Sequence, residues 1–151
     1  MTFRHRFRVR APLTAVAAFH RRSENVAAIT PPPLRVKVES IERHSSAGTG
    51  SSVVTLLLHA GPFSLRWVLQ VQEVAATGFV DRQLHGPFCH WEHRHIFVPV
   101  NQTTTEVIDF VQASFRFHLL QAPLGFIMWL GLPFVFAYRS WKTRQLLSQP
   151  R

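Results

Sequence analysis

The chain has 151 residues, of which 46% are hydrophobic and 17% charged, a composition that excludes a disordered or polyelectrolyte chain. We expect residues 1–151 to form a single domain, since this length suits one core. The one cysteine, Cys89, excludes an intrachain disulfide and a zinc ribbon. The net charge of +9 indicates either an acidic partner or a contribution to solubility. The nine histidines are also many for a chain of this length.

The first predicted element is a strand with one apolar face and one basic face. Its apolar and basic positions alternate, and they are Phe3, His5, Phe7, Val9 and Arg4, Arg6, Arg8, Arg10. A period of two is typical of a strand with one covered side, so we assign these arginines to a solvated face. No nucleic-acid-binding motif accompanies them. No apolar signal-peptide core follows, so we expect a cytoplasmic protein.

Two short helices and a run of strands are predicted next. One helix covers 13–20 after Pro12, and a second starts near Ser23 and ends before Pro31. A Gly/Ser loop is expected over 45–52. The six predicted strands are Leu34–Ser40, Val53–His59, Leu65–Val74, Phe79–Leu84, Cys89–Val98 and Glu106–Phe117. Short turns between consecutive strands indicate an antiparallel meander.

The last predicted element is a long apolar helix that includes the stretch Leu119–Tyr138. That stretch just reaches the length of a membrane span, and Arg139, Lys142 and Arg144 follow it. The sheet needs a covering layer, so we expect the helix to pack on it without spanning a membrane, although the three cations could contact anionic lipid. The predicted fold is α+β: a curved antiparallel sheet wrapped around a long C-terminal helix, with two short helices after the first strand.

Titratable residues fall among aromatic residues on the predicted covered face. By strand alternation this face carries Phe79, Asp81, Gln83, Trp91, His93, His95, Phe97 and Asp109. The opposite face carries Arg82, Glu92, Arg94, Glu106 and Gln112, which we expect to face solvent. Buried polar groups must be paired, and an Asp beside a His is a natural pair.

Four interpretations of this polar line stay open. It can be a structural network that joins neighbouring strands, or it can orient the polar end of an apolar ligand. A carboxylate–imidazole pair in an apolar cavity can also act as a general acid or base. Finally, a His-x-His pair with a nearby carboxylate can bind a metal, but the spacing alone is a weak signal. We expect neither a metal nor another cofactor.

The same segment carries a resemblance to a known family. The motifs are Phe-Val-Asp-x-Gln at 79–83, Gly-Pro-Phe at 86–88, Trp-x-His-x-His-x-Phe at 91–97, then Thr105, Asp109, Pro123, Gly125, Phe136 and Arg139. The chain is similar to the SRPBCC superfamily (START, polyketide cyclase and pollen-allergen-like proteins), and to its short bacterial members. The resemblance implies a helix-grip fold over nearly the whole chain and a deep cavity for a hydrophobic ligand. Pro133 departs from the pattern, and we expect it to kink the helix and widen the cavity mouth near Gly131.

We expect the domain to bind a hydrophobic or aromatic small molecule. The expected apolar wall is Phe79, Trp91, Phe97, Phe126 and Trp129, and the expected polar anchor is Asp81, Gln83, His93, His95 and Asp109. The alternative is a cyclase/dehydratase-type enzyme, with His93 or His95 as the base and Asp81 or Asp109 orienting it. A second alternative is a basic surface protein that contacts nucleic acid or an anionic membrane, although we do not expect nucleic acid. The sequence leaves the oligomeric state open.

Overall fold

The structure is a computed structural model that describes residues 1–46, 49–75, 77–116 and 121–148. Its helices are α1 (Leu13–Arg21), α2 (Asn25–Ala28) and α3 (Gln121–Leu147). Its strands are β1 (Thr2–Val9), β2 (Leu34–Ser46), β3 (Thr49–Ala60), β4 (Phe63–Ala75), β5 (Gly78–His85), β6 (Phe88–Asn101) and β7 (Thr104–Phe115). The strands form one antiparallel sheet in the order β1-β7-β6-β5-β4-β3-β2. The predicted α+β architecture is therefore confirmed.

The strands run further than the sequence predicts. The expected Gly/Ser loop is mostly wrong, because β2 continues to Ser46 and β3 begins at Thr49, with Ser45 opposite Gly50 in the ladder. Backbone pairing accounts for this, since Ser and Gly can join a ladder that longer neighbouring strands already hold in register. Residues 47 and 48, and the expected strand end at Phe117, lie outside the described residues.

The alternation in β1 separates a buried apolar face from an exposed basic face, as predicted. Phe7 and Val9 are buried, whereas all four arginines of the first ten residues are exposed. The antiparallel pairing of β1 with β7 places the strand beside the last strand of the meander. Helix α1 covers this end of the sheet with Val16 and Ala17, which pack with Phe7 and Val9 in one apolar cluster. Helix α2 begins at Asn25, whose amide donates to the carbonyl of Phe19 at 2.8 Å.

Helix α3 covers the concave side of the sheet but buries only one of its own faces. Leu132 and Phe136 belong to the main core with Trp67, Phe88 and Trp91 of the sheet. The stretch Ala122–Leu147 has the length and composition to cross a membrane, with mean hydropathy 1.3, yet only 17% of its most apolar window is buried. The exposed side carries large apolar residues, among them Leu124, Phe126 and Leu130.

The helix continues through Pro133 to Leu147 as one element. The expected kink and the wider cavity mouth stay predictions, and the helix extends well past Tyr138. Pro133 lies on the exposed side of α3, so its ring meets solvent and the lost hydrogen bond is not a buried one. Residues 119 and 120, where the predicted apolar stretch starts, lie outside the described residues.

Candidate functional site

A cavity of about 450 Å³ lies between the concave face of the sheet, α3 and the α1–α2 segment. Most of its wall is apolar. The sheet contributes Val54, Leu56, Trp67, Leu69, Val71, Phe79 and Trp91; α3 contributes Ile127, Met128, Leu132, Val135 and Phe136; the α1–α2 segment contributes Phe19, Val26 and Ile29. A volume of this size and an apolar wall are typical of sites for small organic molecules.

Four titratable side chains line one end of this cavity, on three adjacent strands. Asp81 lies on β5, His93 and His95 on β6, and Asp109 on β7. The ladder places Asp81 opposite His93 and His95 opposite Asp109, so the four side chains project from the same face of the sheet. Gly78 allows β5 to start here, because a Cβ atom at that position would overlap the carbonyl oxygen of His95.

Each imidazole lies between the two carboxylates. His93 Nε2 and His95 Nδ1 both lie 3.1 Å from Asp109 Oδ1, although only the His93 contact has the angle of a hydrogen bond. On the other side, His95 Nε2 lies 3.1 Å and His93 Nδ1 3.9 Å from Asp81 Oδ2. The two rings are 3.8 Å apart between centroids. The four residues therefore form one connected polar cluster.

The pKa values of the two histidines are shifted in opposite directions. Burial lowers the pKa of His95, but its contacts with Asp109 and Asp81 outweigh burial and raise that pKa to about 9. Burial and the neighbouring His95 charge lower the pKa of His93 to about 4. Burial opposes ionisation of Asp109, yet its contacts with His93 and His95 hold its pKa well below the usual range.

Polar residues outside the sheet also line the cavity, among them His20 and Arg139. His20 of α1 packs against His95 and Phe97, and burial lowers its pKa to about 3. Arg139 of α3 lines the cavity, its guanidinium lies 5.5 Å from the Phe136 ring centroid, and burial lowers its pKa. His20 Nε2 and Arg139 Nε are buried without a hydrogen bond among the described residues. Both atoms are free to bond to a ligand.

These two residues were not among the predicted site residues. The sequence indicates Arg139 only as part of the family motif and as one of three cations that could contact anionic lipid. Nothing in strand alternation could place His20, because it belongs to a helix that folds over the sheet. Of the three cations that could contact anionic lipid, Arg139 lines the cavity and the exposed Arg144 donates to the carbonyl of Arg8 at 3.0 Å, so lipid contact stays a prediction.

The structure brings six of the ten predicted site residues to the cavity wall: Phe79, Asp81, Trp91, His93, His95 and Asp109. Four others lie elsewhere. Gln83 braces the β5–β6 turn, donating to the carbonyl of Phe88 at 2.7 Å. Phe97 is buried in the cluster under α1. Trp129 packs at the edge of the main core, and Phe126 is 51% exposed on the outer side of α3.

The expected solvent-facing side of the sheet holds one exception. Glu92 lies on the outer face, as predicted, but is buried because the guanidinium groups of Arg82 and Arg94 cover its carboxylate. Ion pairing therefore replaces solvent around this side chain, which strand alternation alone does not reveal.

The sequence matches no family model and no curated protein sequence. The fold, in contrast, matches solved structures over almost its full length. One is the Zhui aromatase/cyclase from Streptomyces sp. R1128, at 16% identity and a TM-score of 0.77, covering 98% of this chain and 93% of that chain.

Two further structures share the fold. A START superfamily protein from Mycobacterium smegmatis has 14% identity and a TM-score of 0.71, covering 96% of this chain and 98% of that chain. Norcoclaurine synthase from Thalictrum flavum, in complex with dopamine and hydroxybenzaldehyde, has 10% identity and a TM-score of 0.65, covering 100% and 88%. The chain thus has the helix-grip fold found in START and aromatase/cyclase proteins.

Proposed function

We propose that the protein binds a hydrophobic or aromatic small molecule in the cavity between the sheet and α3. The observation that carries this proposal is the cavity of about 450 Å³, which has apolar walls and a polar cluster at one end. Such a shape buries the apolar body of a ligand and orients its polar group. The START protein and norcoclaurine synthase have the same fold, and the latter was solved with two small aromatic molecules.

Gly131 offers a direct way to fill the cavity without disturbing the fold. It lines the cavity on α3, and a Cβ atom added there would meet no other atom within 4 Å. We expect Gly131→Leu to retain or raise stability, because Leu favours a helix over Gly by roughly 0.5–1 kcal/mol. The same change should weaken binding of a neutral naphthylamine dye about tenfold or more, a loss of roughly 1.4 kcal/mol.

The matched control is Ala137→Leu, which adds the same side chain on the exposed side of α3, outside the cavity wall. Dye fluorescence titrations of the three proteins give the comparison, and native mass spectrometry of the unmodified protein identifies any small molecule that co-purifies. Equal dye affinity in all three proteins would place the dye outside the cavity and contradict the proposal.

A second candidate function is a cyclase/dehydratase-type enzyme. The observation that favours it is the placement of His93 and His95 on the cavity wall, each between the carboxylates of Asp81 and Asp109. An imidazole held by carboxylates is a common general acid or base. Under this candidate His93→Ala and His95→Ala abolish turnover, whereas under simple binding they weaken ligand affinity only modestly.

A further inference from the structure

Each imidazole of the polar cluster has one nitrogen near Asp109 and the other near Asp81, so the two carboxylates lie on opposite sides of the rings. Each ring directs one nitrogen to Asp109, namely His93 Nε2 and His95 Nδ1, both at 3.1 Å. The remaining nitrogens, His93 Nδ1 and His95 Nε2, face Asp81. Two nitrogens and one carboxylate oxygen thus converge at the Asp81 side of the rings, and ligand atoms of the three residues lie within 4.8 Å of one another.

The distances among these nitrogen and oxygen atoms match those between the ligands of a metal ion. Bonds of roughly 2.0–2.2 Å from one ion to nitrogen and oxygen ligands place those ligands roughly 3–4 Å apart. The observed separations from Asp81 Oδ2 are 3.1 Å to His95 Nε2 and 3.9 Å to His93 Nδ1. The second oxygen, Asp81 Oδ1, is buried and makes no hydrogen bond among the described residues. A buried carboxylate oxygen without a donor is suited to a cation.

The surroundings hold the two rings in place. Phe79 stacks on His95 with centroids 4.1 Å apart, and Phe136 meets His93 edge-on at 5.3 Å. Asp109 contacts the far nitrogen of each ring, which is the position of the outer-shell carboxylate that orients metal-bound histidines. The rings and their outer-shell partner therefore have the arrangement that a metal site requires.

We propose that Asp81, His93 and His95 bind a divalent transition-metal ion of the zinc or ferrous class, with Asp109 orienting both histidines. Two imidazoles and one carboxylate suit these ions, and three protein ligands leave coordination positions open. All three ligands line the cavity, so the open positions face the space that a small molecule would fill. This inference goes beyond the proposed binding function and does not depend on it.

The test uses the full chain, expressed without a histidine tag and stripped with a chelator. Calorimetric titration with Zn²⁺, and with Co²⁺ followed by its visible absorption, should show one equivalent of saturable binding. Asp81→Asn should lower that affinity about a hundredfold or more, and Asp109→Asn about 10–100-fold, the usual effect of losing an outer-shell partner. The matched control is His90→Ala, which removes an exposed histidine from the same strand and should leave affinity unchanged.

Two outcomes overturn the proposal. One is the absence of saturable one-equivalent binding, which would leave the cluster as a proton-linked network only. The other is an equal loss of affinity in His90→Ala and Asp81→Asn, which would place the ion on exposed histidines. If Asp81→Asn does not fold, X-ray absorption of the zinc-loaded unmodified protein decides, since two imidazoles in the first shell are expected. Gly131→Leu separates this proposal from the binding function, because it should block the dye and retain the metal.

Discussion

Glu92 carries a buried charge on the side of the sheet opposite the cavity. Only 7% of the residue is exposed, and its two carboxylate oxygens accept hydrogen bonds from Arg82 Nε at 2.8 Å and Arg94 Nε at 2.6 Å. Arg82 is its cross-strand neighbour on β5, so the pair also joins β5 to β6. The hydrogen bond from Arg82 contributes most to lowering the pKa of Glu92, against the opposing effect of burial.

We expect Glu92→Gln to lower the free energy of unfolding at pH 7 by about 1–3 kcal/mol, because two charge-assisted hydrogen bonds lose their anion. The folded-state pKa of Glu92 lies below its ordinary value of 4.5. Its ionised form therefore stabilises the fold above that pH, and this contribution disappears as the pH falls through the folded-state pKa. The difference between the two proteins should accordingly shrink below about pH 4.5 in urea unfolding curves.

Glu39→Gln is the matched control for this prediction. Glu39 also accepts from an arginine, Arg66 at 2.9 Å, but this pair is exposed. Exposed ion pairs contribute roughly 0–1 kcal/mol, so the control should change stability little. Equal effects of the two substitutions would show that burial of Glu92 adds nothing to its ion pairs.

Helix α3 is the element whose buried face is hardest to predict from the sequence. Leu130 is 62% exposed and Leu132 only 7% exposed, although they lie two residues apart in the same apolar run. Apolar residues occur on all sides of this helix, so no stripe identifies the buried face. Contact with the sheet selects that face, and contact of this kind depends on elements distant in the chain.

We expect Leu132→Ala to destabilise the protein by about 2–4 kcal/mol and Leu130→Ala by less than about 0.5 kcal/mol. Both changes replace Leu by Ala in one helix, so the helix-propensity contribution is the same. Leu132 packs in the main core, whereas Leu130 contributes no buried surface there. Thermal and urea unfolding would measure the difference. A comparable loss in Leu130→Ala would mean that the outer side of α3 is covered in solution.

The sequence predicts which side chains face the core better for the strands than for the helices, and the reason is physical. In β6 every second residue faces the core, so alternation alone correctly placed Trp91, His93 and His95 on the covered side. Neighbouring strands then brought Asp81 and Asp109 beside them. His20 and Arg139 could not be found in this way, because they reach the cavity from helices whose orientation depends on tertiary packing.

At the scale of the whole molecule, the described arginines that contribute to the charge of +9 occupy several different environments. The arginines of β1 are exposed on the outer face, and Arg139 lines the cavity. Arg82 and Arg94 form ion pairs with Glu92. Single-domain organisation and a cytoplasmic location remain predictions. A net charge of this size nevertheless has a consequence, because like charges repel one another more strongly in the compact state.

We expect the melting temperature to rise with salt, because ions screen this repulsion. Between about 20 mM and about 300 mM NaCl the screening length falls from roughly 20 Å to roughly 6 Å. Replacing Arg4 and Arg6, both exposed, by Gln lowers the net charge of +9 by two, and replacing both by Glu lowers it by four. The salt-dependent gain in melting temperature should therefore decrease from the unmodified protein to the Gln pair to the Glu pair. An identical salt dependence in all three proteins would show that repulsion among the exposed arginines does not limit stability. The rise in melting temperature would then come from the strengthening of apolar burial by salt.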